Sequence, residues 1–273
     1  MNRSSSLASL FLVGLLTPNF ASGQSVRVAT FNVNYGNRLG DQVLGAIAES
    51  KADILCLQET TAQSEQFLRK HLAATYPEFH SVGHQGHFYA ERFVFASRMK
   101  PRDVVFVPPK DGLFGFYCAT FLCGGTDVRV INVHLTPFGV PREATILEGM
   151  AAIAATESKH AGEIAGILKA VDADLPTIVA GDFNSLSSFQ APKALVESGF
   201  IDSFAFVHAD ADKHPTWHWP TRPLPLKLRI DYIFHSKHFH TVDSTVIRRN
   251  GSDHFLLVSG LELDERPDAP ERR

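Results

Sequence analysis

The stretch PTIVAGDFNS, residues 176–185, places the tightest constraint on the fold. Ile178, Val179 and Ala180 form a continuous apolar run, the pattern of a strand covered on both faces rather than one with a solvated side. Such a strand needs a layer of structure above it and another below. The run stops at Gly181 and delivers Asp182 and Asn184 two residues apart, so a carboxylate and an amide stand where a core strand ends.

The rest of the chain supplies the layers. Periodicity predicts strands at 26–33, 53–58, 92–97, 103–107, 113–122, 127–135, 177–180, 229–234, 240–247 and 255–261. Helices are predicted at 41–50, 64–74, 142–170 and 191–198, with Phe67, Leu68 and Leu72 on one face of the second. Gly124-Gly125 between two strands signals a hairpin. Helices fall between strands early and hairpins dominate later, which points to an α/β sandwich of mixed sheets with helices outside. Composition fits one globular domain over 24–264, with 44% hydrophobic and 20% charged residues and no linker or repeat. Residues 265–273, ERPDAPERR, have the composition of a disordered tail.

Arg3, the apolar run Leu7–Leu16 and the small residues Ala21 to Gly23 predict a signal peptide over 1–23, cut near Gly23, and hence a secreted or periplasmic protein. An uncleaved anchor is the alternative, although the run is short for a span. Cys56, Cys118 and Cys123 make a poor disulfide framework, because Cys118 and Cys123 fall on one strand five residues apart; free, buried thiols are expected. Net charge is −3, and −4 without residues 1–23, so no basic surface for a nucleic acid backbone is advertised.

Polar groups recur where alternation prefers apolar ones. ATFNV carries Asn32, LCLQE ends in Gln58-Glu59 and INVHL carries His134. RIDYIF embeds Asp231, and GSDHFLL places Asp253-His254 before a strand. Each alone reads as a cap, a turn or a hydrogen-bonded core group. Together, buried Glu59, Asp182, Asp231 and Asp253 point to convergence on a cation and a histidine, because buried carboxylates are costly unless paired or metal-bound.

In this order, TFNV, LQE, NVHL, GDFN, RIDYIF and SDH resemble the endonuclease/exonuclease/phosphatase family, the DNase I-like metal-dependent phosphoesterases, over residues 26–262. The resemblance implies a four-layer α/β/β/α sandwich of two mixed sheets with the site at one open edge. It implies that Glu59 and Asp253 hold a divalent cation, Mg2+ or Mn2+, with Asn32 beside the ion or the phosphate; hard oxygen donors suit such ions. His254 is the implied general base, held in its tautomer by Asp231. Asp182 would position or activate the nucleophile, Asn184 would donate to a phosphoryl oxygen, and His134 would stabilise charge or protonate the leaving oxygen. The implied reaction is in-line attack by water.

Substrate residues are sought in two loops. VGHQGHFYAERF groups His84, His87, Tyr89 and Arg92 at a strand entry, where they either line the cleft or form a solvated loop. HPTWHWPTRPLPLKLR offers Trp217 and Trp219 as stacking platforms, with Arg222, Lys227 and Arg229 for charge; the plainer reading is a Pro-stiffened lid. The expected activity is an exported phosphoesterase acting on a small or lipid-linked mono- or diester. An extracellular nuclease and a catalytically idle binding module are the alternatives, and no protein partner is indicated.

Overall fold

A computed structural model describes residues 25–83, 92–110, 112–139, 145–219 and 226–264. The predicted leader and tail, His84, His87, Tyr89 and Arg222 lie outside these residues. In chain order the first half runs β1 (Ser25–Asn32), α1 (Asp41–Ser50), β2 (Ile54–Gln58), α2 (Ala62–Leu72), β3 (Glu78–Val82), β4 (Phe93–Ser97), β5 (Arg102–Val107), β6 (Phe116–Cys123) and β7 (Thr126–His134). It continues through α3 (Ile146–Lys169), β8 (Thr177–Asp182), α4 (Gln190–Glu197), β9 (Ile201–Asp202) and α5 (Ser203–Val207). The last part is β10 (Trp217–Trp219), β11 (Leu226–Leu228), β12 (Asp231–His235), β13 (Phe239–Ile247) and β14 (Leu256–Leu263).

Two six-stranded mixed sheets result, ordered β13-β14-β1-β2-β4-β3 and β5-β6-β7-β8-β12-β9. Each has one parallel pair at its centre, β1 with β2 and β7 with β8, crossed by α1 and α3 respectively. All other pairs are antiparallel, as hairpins and returns require. The Gly124-Gly125 hairpin forms as expected: both glycines take positive φ, 56° and 84°, the geometry of a two-residue primed turn.

Three apolar cores separate four layers. Val28, Cys56, Phe95, Phe121, Val130, Ala180 and Leu257 fill the space between the sheets. Phe31, Leu55, Leu57 and Val258 pack outward on Ile47 of α1 and Leu68 and Leu72 of α2. Ile131, Val179, Tyr232 and Phe234 pack outward on Ile164 and Ile167 of α3 and Leu195 of α4. Central strands are therefore covered on both faces, as the apolar run at 178–180 demanded. All three cysteines are free and buried, and burial pushes the Cys118 and Cys123 thiols up to about 11 and about 12.

Strand β8 tolerates no side chain at Gly181, where a Cβ would lie 2.0 Å from the Val133 carbonyl oxygen of β7. The close approach sets the level at which Asp182 leaves the sheet, directly opposite His134 and Asp231. Gly181→Ala is expected to cost about 1–3 kcal/mol of stability through overpacking, measured by urea denaturation. A variant as stable as the wild type contradicts that close approach.

Candidate active site

Side-chain alternation builds the site. Along β1 the residues facing the opposite sheet are Val26, Val28, Thr30 and Asn32; along β2 they are Ile54, Cys56 and Gln58. From the other sheet come Val128, Val130, Asn132 and His134 of β7, Ile178, Ala180 and Asp182 of β8, and Asp231 and Ile233 of β12. Each row is apolar in depth and turns polar at the same end, so the mouth between the sheets is lined by amides, carboxylates and imidazoles. Beneath it lies a polar floor. Gln58 Nε2 donates to Asn132 Oδ1 (2.7 Å) and Thr30 Oγ1 (3.0 Å), and Asn132 Nδ2 donates to the carbonyls of Leu57 (3.1 Å) and Val94 (3.2 Å). Satisfied in this way, the buried amides fix the spacing of the two sheets instead of destabilising them.

Above the floor, Asn32 Nδ2 donates to Glu59 Oε1 (2.8 Å) and Asp182 Oδ2 (3.0 Å), tying one carboxylate from each sheet. His134 Nε2 stands 3.7 Å from Glu59 Oε1 and 3.6 Å from Asp182 Oδ2. Three site residues leave their strands in the left-handed region: Asn34 (φ 58°), Glu59 (φ 55°) and Asn184 (φ 46°). For a glutamate this conformation costs about 1 kcal/mol or more, and it is held by the surrounding bonds. Asn184 N donates to Asp182 Oδ1 (2.9 Å), and Asn184 Nδ2 donates to the Leu135 carbonyl (3.0 Å). One amide hydrogen of Asn184 is thus committed, which leaves the other for a ligand.

His254 Nδ1 lies 3.0 Å from Asp231 Oδ2, and its Nε2 lies 3.6 Å from Asp182 Oδ2. Thr216 Oγ1 accepts from the backbone N–H groups of Ile230 and Asp231 (both 3.0 Å), and Ser252 Oγ accepts from His254 N (3.1 Å) while donating to the Asn32 carbonyl (2.8 Å). These bonds lock both ends of the Asp231–His254 pair. Asp253 accepts from Asn34 Nδ2 (2.7 Å) and Trp217 Nε1 (3.0 Å), and the next residue, Tyr35, donates its N–H to Glu59 Oε2 (3.2 Å). Asp253 and Glu59 therefore flank a single turn.

The crowding of carboxylates shows in their acidities. Burial pushes the Asp182 carboxyl up to about 7, against the pull of His254. Burial also raises Glu59, opposed by the Asn32 hydrogen bond and by His254. Asp253 goes the other way: burial raises it, but His254, Asn34 and Trp217 outweigh this and hold it below the ordinary range. Burial would lower His254, yet Asp231 and Asp182 together carry it up to about 10. Asp182 and His254, 3.6 Å apart, therefore titrate as a pair rather than singly.

Facing atoms of Glu59, His134 and Asp182 lie within 4.8 Å of one another, as do those of Asp182, Asp231 and His254. Oxygen and imidazole donors around a buried excess of carboxylate fit a hard divalent cation, and no thiol is near.

A sequence profile of the Endonuclease/Exonuclease/phosphatase family matches residues 29–254, from β1 to His254. The chain belongs to this family. The fold agrees with solved structures at low identity. A Beutenbergia cavernae endonuclease/exonuclease/phosphatase is 21% identical over 88% of this chain and 72% of its own, TM-score 0.63. D. rerio TDP2, solved with a single-strand DNA product, is 18% identical over 87% and 99%, TM-score 0.67. The human Nocturnin catalytic domain, solved with a sulfate anion, is 19% identical over 88% and 95%, TM-score 0.63. None of the curated proteins compared with the chain matches it.

Asn32, Glu59, His134, Asp182, Asn184, Asp231, Asp253 and His254 thus meet at one mouth. One loop expectation changes, at Arg229. Trp217 reaches the site, where its indole N–H donates to Asp253. Arg229 is buried, donating to Asp202 (2.7 Å) and Asp212 (3.1 Å) with its guanidinium over the Tyr232 ring, so its charge is spent inside the fold rather than on a ligand. Trp219 pairs with Leu226 in the β10–β11 ribbon. Sequence reading missed Asn34, Thr216, Ser252 and the half-exposed Tyr35; the turn NYGN after β1 was the available signal for the first and last.

Asp231→Asn removes the carboxylate that most raises His254. The pH at which His254 loses its proton is then expected to fall, followed by NMR of the ring. An unmoved titration contradicts the pairing.

Proposed function

We propose that this protein is a divalent-cation-dependent phosphoesterase that hydrolyses a phosphate ester by in-line attack of water. The observation that carries this reading is the juxtaposition of Glu59, Asp182, Asp231 and Asp253 with two imidazoles at one buried mouth, an excess of negative charge suited to a cation and a phosphoryl group. Glu59 and Asp253, linked by the Asn34-Tyr35 turn, would hold Mg2+ or Mn2+, with Asn32 orienting Glu59. When bound, such an ion neutralises charge on the phosphoryl oxygens.

The remaining residues then divide the work. The Asp182–His254 pair takes a proton from the attacking water, and Asp231 keeps the His254 ring oriented. Asn184 donates its free amide hydrogen to the phosphate. His134 lies on the Glu59 side, suited to a developing charge on the leaving oxygen.

A small or lipid-linked mono- or diester is the substrate class we favour, in an exported protein whose leader is residues 1–23. Its support is electrostatic: among the described residues, Arg92 is paired with Glu65 and Arg229 with Asp202 and Asp212, so neither is available to follow a polyanionic backbone. TDP2 with its DNA product keeps an extracellular nuclease as the rival.

Residues 24–273 should hydrolyse a bis-aryl phosphodiester in Mg2+ or Mn2+ and lose this activity in chelator. Asp182→Asn and His254→Ala should each lower turnover by about 100- to 10,000-fold while melting cooperatively. Undiminished turnover in chelator rejects the cation reading, and plasmid cutting that disappears in these variants would favour the nuclease.

A further inference from the structure

A second set of buried polar groups lies behind His134, outside the mouth. Thr136, two residues beyond β7, has each of its polar atoms engaged. Its N–H donates to the Glu163 carboxylate (3.2 Å), its hydroxyl donates to Glu163 Oε1 (2.9 Å), and its carbonyl accepts from His160 Nε2 at 2.6 Å. The same hydroxyl oxygen accepts from Leu113 N (3.1 Å). Thr136 therefore ties the end of β7 both to α3 and to the loop entering β6.

That loop is shaped around Glu163. Gly112 has φ 83°, and a Cβ there would sit 2.0 Å from Glu163 Oε1; Gly115 has φ 68°, and a Cβ would meet the Val107 carbonyl oxygen at 2.2 Å. Only glycine fits at either end, and between them Phe114 is laid flat on the His134 imidazole, ring centroids 4.1 Å apart and planes 14° apart. Glu163 thus reaches His134 by two routes, along the chain through Thr136 and Leu135, and across space through Leu113 and Phe114.

We propose that Glu163 is a positioning residue for His134, setting the imidazole's plane and depth through Thr136 and the Gly112–Gly115 loop; its catalytic consequence rests on the phosphoesterase reading. Taking this carboxylate largely out of water is costly, since burial pushes it up to about 7. The two donors of Thr136, its N–H and its hydroxyl, and the Gly112 backbone fitted to Oε1 offset that cost.

The test pairs kinetics with a signature independent of activity. A face-stacked phenyl shifts the ring-proton resonances of His134 upfield in NMR, and His134→Gln assigns them. Glu163→Ala should move those resonances toward their Phe114→Leu positions. It should lower kcat by about 10- to 100-fold with KM changed less than about 2-fold. Glu163→Gln, which keeps an acceptor for Thr136, should restore most of both. If Glu163→Ala does not fold, Thr136→Val removes the hydroxyl tie alone and should shift the resonances in the same direction. A folded Glu163→Ala with unmoved His134 resonances overturns the proposal, as does a KM-only effect. Shifted resonances in a protein whose wild type hydrolyses no phosphate ester would uphold the positioning and reject the phosphoesterase reading.

Discussion

Asp182 is the group on which the rest of the site depends. It is 1% exposed, it accepts hydrogen bonds from Asn32 of the opposite sheet and from Asn184 of its own, and it lies 3.6 Å from an imidazole nitrogen on each side. A carboxylate so placed is unstable as an isolated charge. It therefore dictates its company: two imidazoles, a network of amide donors and, in the proposed reading, a cation. The two sheets supply these partners because their facing residues all change from apolar to polar at the same end.

The polar floor of Thr30, Gln58 and Asn132 explains how the mouth keeps its dimensions. Apolar packing fills the space between the sheets, and a chain of directional bonds from one sheet to the other adds a single register. On the outer side, α3 contributes more than its apolar stripe. His160 and Glu163 grip Thr136, and Glu157 accepts from Gln190 N (2.8 Å), so one helix braces both segments that leave the mouth after His134 and Asn184.

Much of this was legible in the sequence, for identifiable reasons. Long central strands announce themselves by unbroken apolar runs, and polar residues interrupting those runs at 32, 134, 182 and 231 marked the site because nothing in a core tolerates them without partners. Short elements were not legible. Strand β3, EFHSV, lies at a sheet edge with mixed burial, and β9, β10 and β11 have three residues or fewer, too few for a period to show. Arg229 misled because adjacency to Asp231 in sequence does not reveal that Asp202 and Asp212 already hold its guanidinium.

The central claim is that the buried carboxylates form a cation site on the Glu59 side of Asp182. Crystals of residues 24–273 soaked in Mn2+ and measured at the manganese absorption edge test it without reference to any substrate. An anomalous peak in contact with the Glu59 carboxylate, lost in Glu59→Gln, is the expected result. A map with no peak at the mouth, in a crystal where Mn2+ occupies other positions, would contradict it.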